Sequence, residues 1–149
     1  FGKGEKFILR KFLSPVSFKV IDKFILEKKK LLQISFKSID YAAENNYSLI
    51  IALDCGIKAN DKIDYANSKN VDFIICDHHL PGDEIPKAIA VLDPKQHDCP
   101  YPYKELAGCG IGFKLAQAFC IQNDIDEQEV FEYLDLEVLG DLCDDPWSK

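Results

Sequence analysis

The sequence predicts an α/β domain, a parallel sheet flanked by helices, and three observations predict it. Two near-continuous apolar runs of strand length, SLIIALDCG (48–56) and VDFIICDHH (71–79), each end in acids or imidazoles. A third, AIAVLDP (88–94), follows closely. Polar segments with helical apolar spacing lie between and after these runs, and such alternation is how parallel sheets are built. Runs that are apolar at every position, rather than at every second one, suit strands covered on both faces.

The remaining elements follow in chain order. Val16, Val20, Ile21, Phe24 and Ile25 give residues 15–31 a loosely helical spacing. FKSIDYAAENN (36–46) reads as a short amphipathic helix ending at the Asn pair. Residues 58–69 are polar with a stripe through Ile63 and Ala66. GCGIGFKLAQAFC (108–120) is a glycine-rich turn running into a helix, and 125–134 and 135–143 read as helices with acids on the exposed side. Neither an internal repeat nor a low-complexity linker is present.

Charge divides the chain unevenly. Residues 1–37 hold ten Lys/Arg and three Asp/Glu, and the rest holds eight and twenty-two, for a net charge of −7. The balance flips near residue 35, which suggests an atypical basic segment (1–35) ahead of the α/β unit (36–149). The acidic body is a poor generic nucleic-acid binder, but it is what a cluster of carboxylate metal ligands produces. The basic start can touch phosphates or form a solvated lysine-rich helix.

Composition narrows the class further. The chain has 149 residues, 47% of them hydrophobic, which suits one globular domain. No apolar run approaches the roughly 20 residues of a membrane span, and no signal-peptide pattern opens the chain. No membrane partner is therefore expected. Six cysteines without a C-x-x-C pair read as thiols in a reducing compartment, so a cytoplasmic location is expected. The chain begins at Phe1, holds no methionine, and stops just after Asp144-Asp145-Pro146-Trp147, as a piece of a longer protein would.

In open α/β sheets, ligands bind outside the carboxyl ends of the strands. Here those ends carry Asp54, then Asp77-His78-His79, then Asp93. Successive strand side chains point to opposite faces, so two adjacent histidines cannot enter one core layer. Where the chain leaves the sheet, one imidazole can bind a metal while the other faces substrate, and the preceding acid can accept a ring N–H. Mixed carboxylate and imidazole donors suit manganese, magnesium or iron. Plainer readings stand beside these. Asp93 before Pro94 reads better as a turn cap, Asp54 reads equally as cap or ligand, and the histidines read equally as neutral hydrogen-bonding groups. His97 belongs to a solvated loop. Gly108-Cys109-Gly110 is first a tight turn at a helix start, whose N–H groups can also face an anion.

At LIIALDCG (49–56), FIICDHHLPGDEIPKAIAVLDPK (73–95), YPYKELAGCGIGFKLAQAF (101–119) and LDLEVLGDLCDD (134–145), the chain resembles the DHH phosphoesterase superfamily, and within it the RecJ-type single-stranded-DNA exonucleases. The resemblance spans roughly residues 35–145. It implies two-metal hydrolysis of a phosphodiester with Mn²⁺ or Mg²⁺, the ions about 3.5–4 Å apart. It implies a 5′-end exonuclease acting on single-stranded DNA in repair and recombination. Carried onto this sequence, Asp54 would bridge the metals, with His78 and Asp144 as further ligands. His79 would lie near the scissile phosphate, Asp77 would orient the histidines, and Gly108 and Gly110 would face substrate phosphate. The resemblance also calls for an earlier Asp-x-Asp motif. Residues 1–35 offer only Glu5, Asp22 and Glu27, so a partial DHH domain, with one metal site short of ligands, is expected. Two alternatives are a small-nucleotide phosphodiesterase or pyrophosphatase of the same superfamily, and an inactive fragment that binds metal, nucleic acid or a partner. An incomplete sheet would expose an edge through which a homo-oligomer forms.

Overall fold

The computed structural model describes residues 34–131. The segment 15–31, the end of the 125–134 segment, 135–143 and Asp144 lie outside them.

Helix α1 (Phe36–Glu44) opens on a reciprocal cap. The Ser38 N–H donates to Ser35 Oγ at 3.2 Å, and the Ser35 N–H donates to Ser38 Oγ at 3.3 Å. The pair satisfies two main-chain donors that a helix start leaves unpaired. The helix buries Ile39 and Ala42 on one face. It ends where Asn46 takes a left-handed φ of 59° and Tyr47 N–H reaches back to Ala42 O at 2.8 Å. Asn tolerates that conformation better than most residues, which is why the Asn pair works as a stop.

Strand β1 (Leu49–Leu53), helix α2 (Asn60–Ser68) and strand β2 (Asp72–Cys76) form the first strand–helix–strand unit. Helix α2 lays Ile63 and Ala66 against the sheet and stops at Asn70, again left-handed with φ 57°. Strand β3 (Ala90–Leu92) adds to a sheet that, among the described residues, has the order β1-β2-β3 with both pairings parallel. Its register pairs Leu53 with Cys76 and Cys76 with Leu92, so all three strands end level. Between β2 and β3 the chain crosses without a helix, tied to α2 by Asn67 Nδ2 donating to Lys87 O at 3.0 Å. Helix α3 (Gly108–Gln122) covers the other face, stops at left-handed Asp124 (φ 55°), and is followed by the short helix α4 (Gln128–Phe131).

The central strand explains the all-apolar runs. Phe73 and Ile75 pack with Ile39, Ala42, Ile63 and Ala66 on the α1/α2 side, whereas Ile74 and Cys76 pack with Ile111, Leu115 and Ala118 on the α3 side. Strand β2 is buried on both faces, so no position on it is free to be polar after Asp72. Each such Ile or Phe contributes roughly 1.5–3 kcal/mol by leaving water. The expected strands are present but shorter than their apolar runs. Pairing ends at Cys76 and Leu92, and this leaves Asp77-His78-His79 and Asp93 just past the ladder. Among the described residues no helix is long and apolar enough to cross a membrane.

Candidate metal centre

Three strand-end segments meet at one edge of the sheet. The first turns sharply. Asp54 N–H makes the last ladder bond, to Cys76 O at 2.8 Å, and the residue then adopts φ 61°. Asn46, Asn70 and Asp124, the other three non-glycine residues with positive φ among the described ones, each terminate a helix. Asp54 terminates none. A left-handed aspartate costs on the order of 1 kcal/mol, and such strain persists where the surroundings impose it. Here the turn lifts the carboxylate out of the sheet to an exposed position, with Oδ1 3.0 Å from His78 Nε2. Gly56, with φ 117°, completes the turn, and a Cβ there would meet Ile34 Cδ1 at 2.9 Å.

The second segment is built around Asp77, which is 1% exposed. Its Oδ2 accepts from Ile57 N–H at 2.9 Å. Its Oδ1 accepts from His78 N–H at 2.8 Å and His79 N–H at 3.3 Å, and lies 2.6 Å from His79 Nδ1. Burial pushes this carboxyl up, but the bonds from Ile57, the His79 ring and the two main-chain N–H groups outweigh it and hold it below the ordinary carboxylate range. An ionised Asp77 requires His79 to donate from Nδ1, which leaves the Nε2 lone pair facing outward. Asp77, expected to orient both histidines, contacts the two unequally. Asp77 holds the imidazole of His79, but touches His78 through its main-chain N–H alone.

Donor atoms of Asp54, His78 and His79 all lie within 4.8 Å of one another. The imidazoles stand edge to face, with centroids 4.7 Å apart. One carboxylate and two imidazoles converging from a rigid sheet edge suit a single divalent cation of borderline hardness, the remaining positions being open to water or substrate. Asp144 lies outside the described residues.

The glycines sit differently from a simple phosphate cradle. Gly108 is the first residue of α3 and is buried. A Cβ on it would lie 2.5 Å from Asp54 Oδ1 and 2.7 Å from Asp54 Cβ. The missing side chain is what lets helix α3 start against the Asp54 carboxylate, where its dipole favours negative charge. Gly110 is buried within the first turn of the same helix. This contact escaped sequence reasoning, and the small residues of AGCG were its only signal.

Asp93 lies in the third segment and is 3% exposed. Its Oδ1 accepts from Lys95 N–H at 2.8 Å, the turn expected before Pro94. Its Oδ2 is buried without a partner among the described residues. Burial pushes this carboxyl up, the Lys95 N–H opposes, and the Asp77 charge adds to the rise. Cys55, Cys76 and Cys99 are free thiols. Burial raises Cys76 to about 12, with the Asp77 charge adding. Burial, then Asp77 and Asp54, push Cys55 up as well, so neither thiol is an activated nucleophile.

Comparison with known proteins agrees with this architecture. Residues 7–140 match the family model described as "DHH family, N-terminal domain". The single-stranded-DNA-specific exonuclease RecJ of Bacillus subtilis is 40% identical over 136 residues, 91% of this chain and 16% of that protein. The Escherichia coli protein of the same name is 36% identical over 120 residues, 74% of this chain and 21% of the other. A crystal structure of exonuclease RecJ bound to manganese superposes with a TM-score of 0.65 at 25% identity, covering 76% of this chain and 28% of the other. The chain therefore spans about a fifth of the length of these curated relatives. Its parallel sheet, its Asp-His-His triplet at a strand end and the family match over most of its length place the chain in the DHH family.

Proposed function

We propose that this chain is the core of a RecJ-type nuclease, hydrolysing phosphodiesters of single-stranded DNA from the 5′ end in repair or recombination. The observation that carries the reading is the convergence of Asp54, His78 and His79, with Asp77 buried behind. Its relatives named as single-stranded-DNA-specific exonucleases support the substrate class.

A divalent cation, manganese ahead of magnesium by its imidazole donors, would be held by Asp54, His78 and His79 and would neutralise phosphate charge and acidify water there. Everything else is work for the chain's own residues. Asp77 keeps the His79 proton at Nδ1 and so keeps Nε2 available. Helix α3 holds the Asp54 carboxylate against its start. Asp144 is a further ligand by its place in GDLCDD. Free thiols support a reducing, cytoplasmic setting. Strand β1 lies at the sheet edge among the described residues, which supports self-association through it.

The test is hydrolysis of a 5′-labelled single-stranded oligonucleotide with Mn²⁺, beside His78→Ala. Metal-dependent release of label is expected, reduced at least about 100-fold in the variant, since even the partners behind metal ligands are worth about 10–100-fold. A folded chain that binds Mn²⁺ and leaves the strand intact, while cleaving a dinucleotide, would move the substrate class to small nucleotides. Binding without any turnover would leave it a non-catalytic metal-binding piece.

A further inference from the structure

A metal-binding imidazole gives the lone pair of one nitrogen to the cation, so its proton sits on the other nitrogen, and that N–H needs an acceptor when buried. For His79 the acceptor is Asp77 Oδ1, 2.6 Å from Nδ1. For His78 the described residues supply no such bond. Its Nε2 lies on the donor cluster, 3.0 Å from Asp54 Oδ1, so Nδ1 has to carry the proton whenever Nε2 turns to a cation. The side chain is only 16% exposed, which limits what bulk water can do for that N–H.

One acceptor nearby is unused. Asp93 Oδ2 is buried without a partner among the described residues, while Oδ1 of the same carboxyl is taken by Lys95 N–H. The other buried unpartnered side-chain atom among the described residues, Asn60 Oδ1, belongs to the start of α2, on the far side of the turn from β1. The sheet itself places Asp93. Cys76 is in register with Leu92, and Asp77 N–H donates to Leu92 O at 3.0 Å, so Asp93 stands beside Asp77 at the point where His78 leaves the strand.

We propose that Asp93 is the positioning residue for His78, as Asp77 is for His79: Asp93 Oδ2 accepts the Nδ1–H of His78, with at most one water between them, when Nε2 faces a divalent cation. The inference rests on the metal-binding reading of the same site. It gives each histidine its own carboxylate, the two carboxylates being neighbours at the ends of β2 and β3. The unsatisfied oxygen of Asp93 then has a use, and the wrong ring tautomer at His78 is disfavoured.

Asp93→Asn in the full chain tests it. The amide keeps the oxygen for Lys95 N–H and puts an NH₂ donor where Oδ2 was, so it opposes a proton on Nδ1. Mn²⁺ affinity, followed by calorimetry or electron paramagnetic resonance, is expected to fall about 10–100-fold. With Zn²⁺ or Cd²⁺ as a diamagnetic probe, a His78 Nδ1–H nitrogen signal protected from exchange is expected in the native chain. The variant should lose it, with the His79 signal intact. Unchanged Mn²⁺ affinity together with an unchanged His78 signal in the variant overturns the proposal and leaves the metal reading standing. If the variant does not fold, the native chain decides: a protected Nδ1–H supports Asp93, and a freely exchanging Nδ1–H at a loaded site overturns it. A native chain that binds none of these cations overturns the metal reading, and the Asp93 proposal with it.

Discussion

Asp54 and Asp77 occupy equivalent places, each the first residue past a parallel strand, and are used in opposite ways. Asp77 is buried, accepts three main-chain N–H bonds and holds one imidazole. Asp54 is half-exposed in side chain, twisted into a left-handed turn, and touched chiefly by His78 and by the bare Cα of Gly108. Asp77 is fixed by bonds and Asp54 by shape. The difference teaches that residue type and strand position do not set the role of a strand-end acid. The direction in which the backbone leaves the sheet does.

If Asp77 is the bonded one, removing its charge should have the largest effect. Asp77→Asn keeps the size but loses acceptors for at least one of four donors. It is expected to lower stability by about 2–4 kcal/mol, on the scale of hydrogen bonds to a buried charged group, as read by urea unfolding. The pH dependence sharpens this. The Asp77 pKa is lowered in the fold, so its contribution is fully present above the unfolded value near 4 and is lost as pH falls through the folded one. The gap between native chain and variant should therefore be constant from about pH 5 to 7 and close on further acidification. The raised Asp93 carboxyl acts with the opposite sign, losing its contribution as pH rises; the part due to burial, its largest cause, is common to both chains, and only the smaller part due to the Asp77 charge enters the difference. A gap that widens in acid would remove Asp77 from the bonded role.

The sheet and the gathering of acids at its edge were legible because they rest on local pattern. An apolar residue at every position from Phe73 to Cys76 has one good explanation, burial on both faces. The Asn pair after α1 stops a helix by its own conformational tolerance. The split in duty between His78 and His79 was not legible, because it depends on which way each ring turns within two residues of one loop. Nor was the tie between Gly108 and Asp54, which comes from packing α3 against the end of β1 and joins segments far apart in the chain. The D-C-G turn hinted at the left-handed Asp54, but a hint of strain does not say what the strain serves.

The shape-held side of the comparison is tested at Gly108. Replacing a glycine in a helix by alanine ordinarily stabilises by roughly 0.5–1 kcal/mol. Gly112→Ala, whose Cβ would meet Leu53 Cδ2 at a comfortable 3.5 Å, should follow that rule. Gly108→Ala should reverse it, because its Cβ would sit 2.5 Å from Asp54 Oδ1. A loss of about 1–3 kcal/mol, the range for overpacking, is expected in thermal unfolding, together with weaker Mn²⁺ binding as the carboxylate is displaced. Equal tolerance at the two positions would mean that the helix start is not pressed on Asp54.

The smallest stability change is expected where the metal-binding effect is greatest. Asp54→Gly removes the donor carboxylate, so Mn²⁺ binding should disappear. It also relieves a left-handed non-glycine residue, so the metal-free chain should be unchanged or more stable by up to about 1 kcal/mol. A residue that weakens the fold it sits in while completing a donor cluster is placed by function. The double variant closes the argument. The three nearest contacts of a Gly108 Cβ are with the Asp54 side chain, at Oδ1, Cβ and Cγ. In the Asp54→Gly background those atoms are gone, and Gly108→Ala should return to the ordinary stabilising sign. If alanine at that position remains equally harmful in both backgrounds, the helix is crowded by something other than Asp54, and the carboxylate is not held by shape.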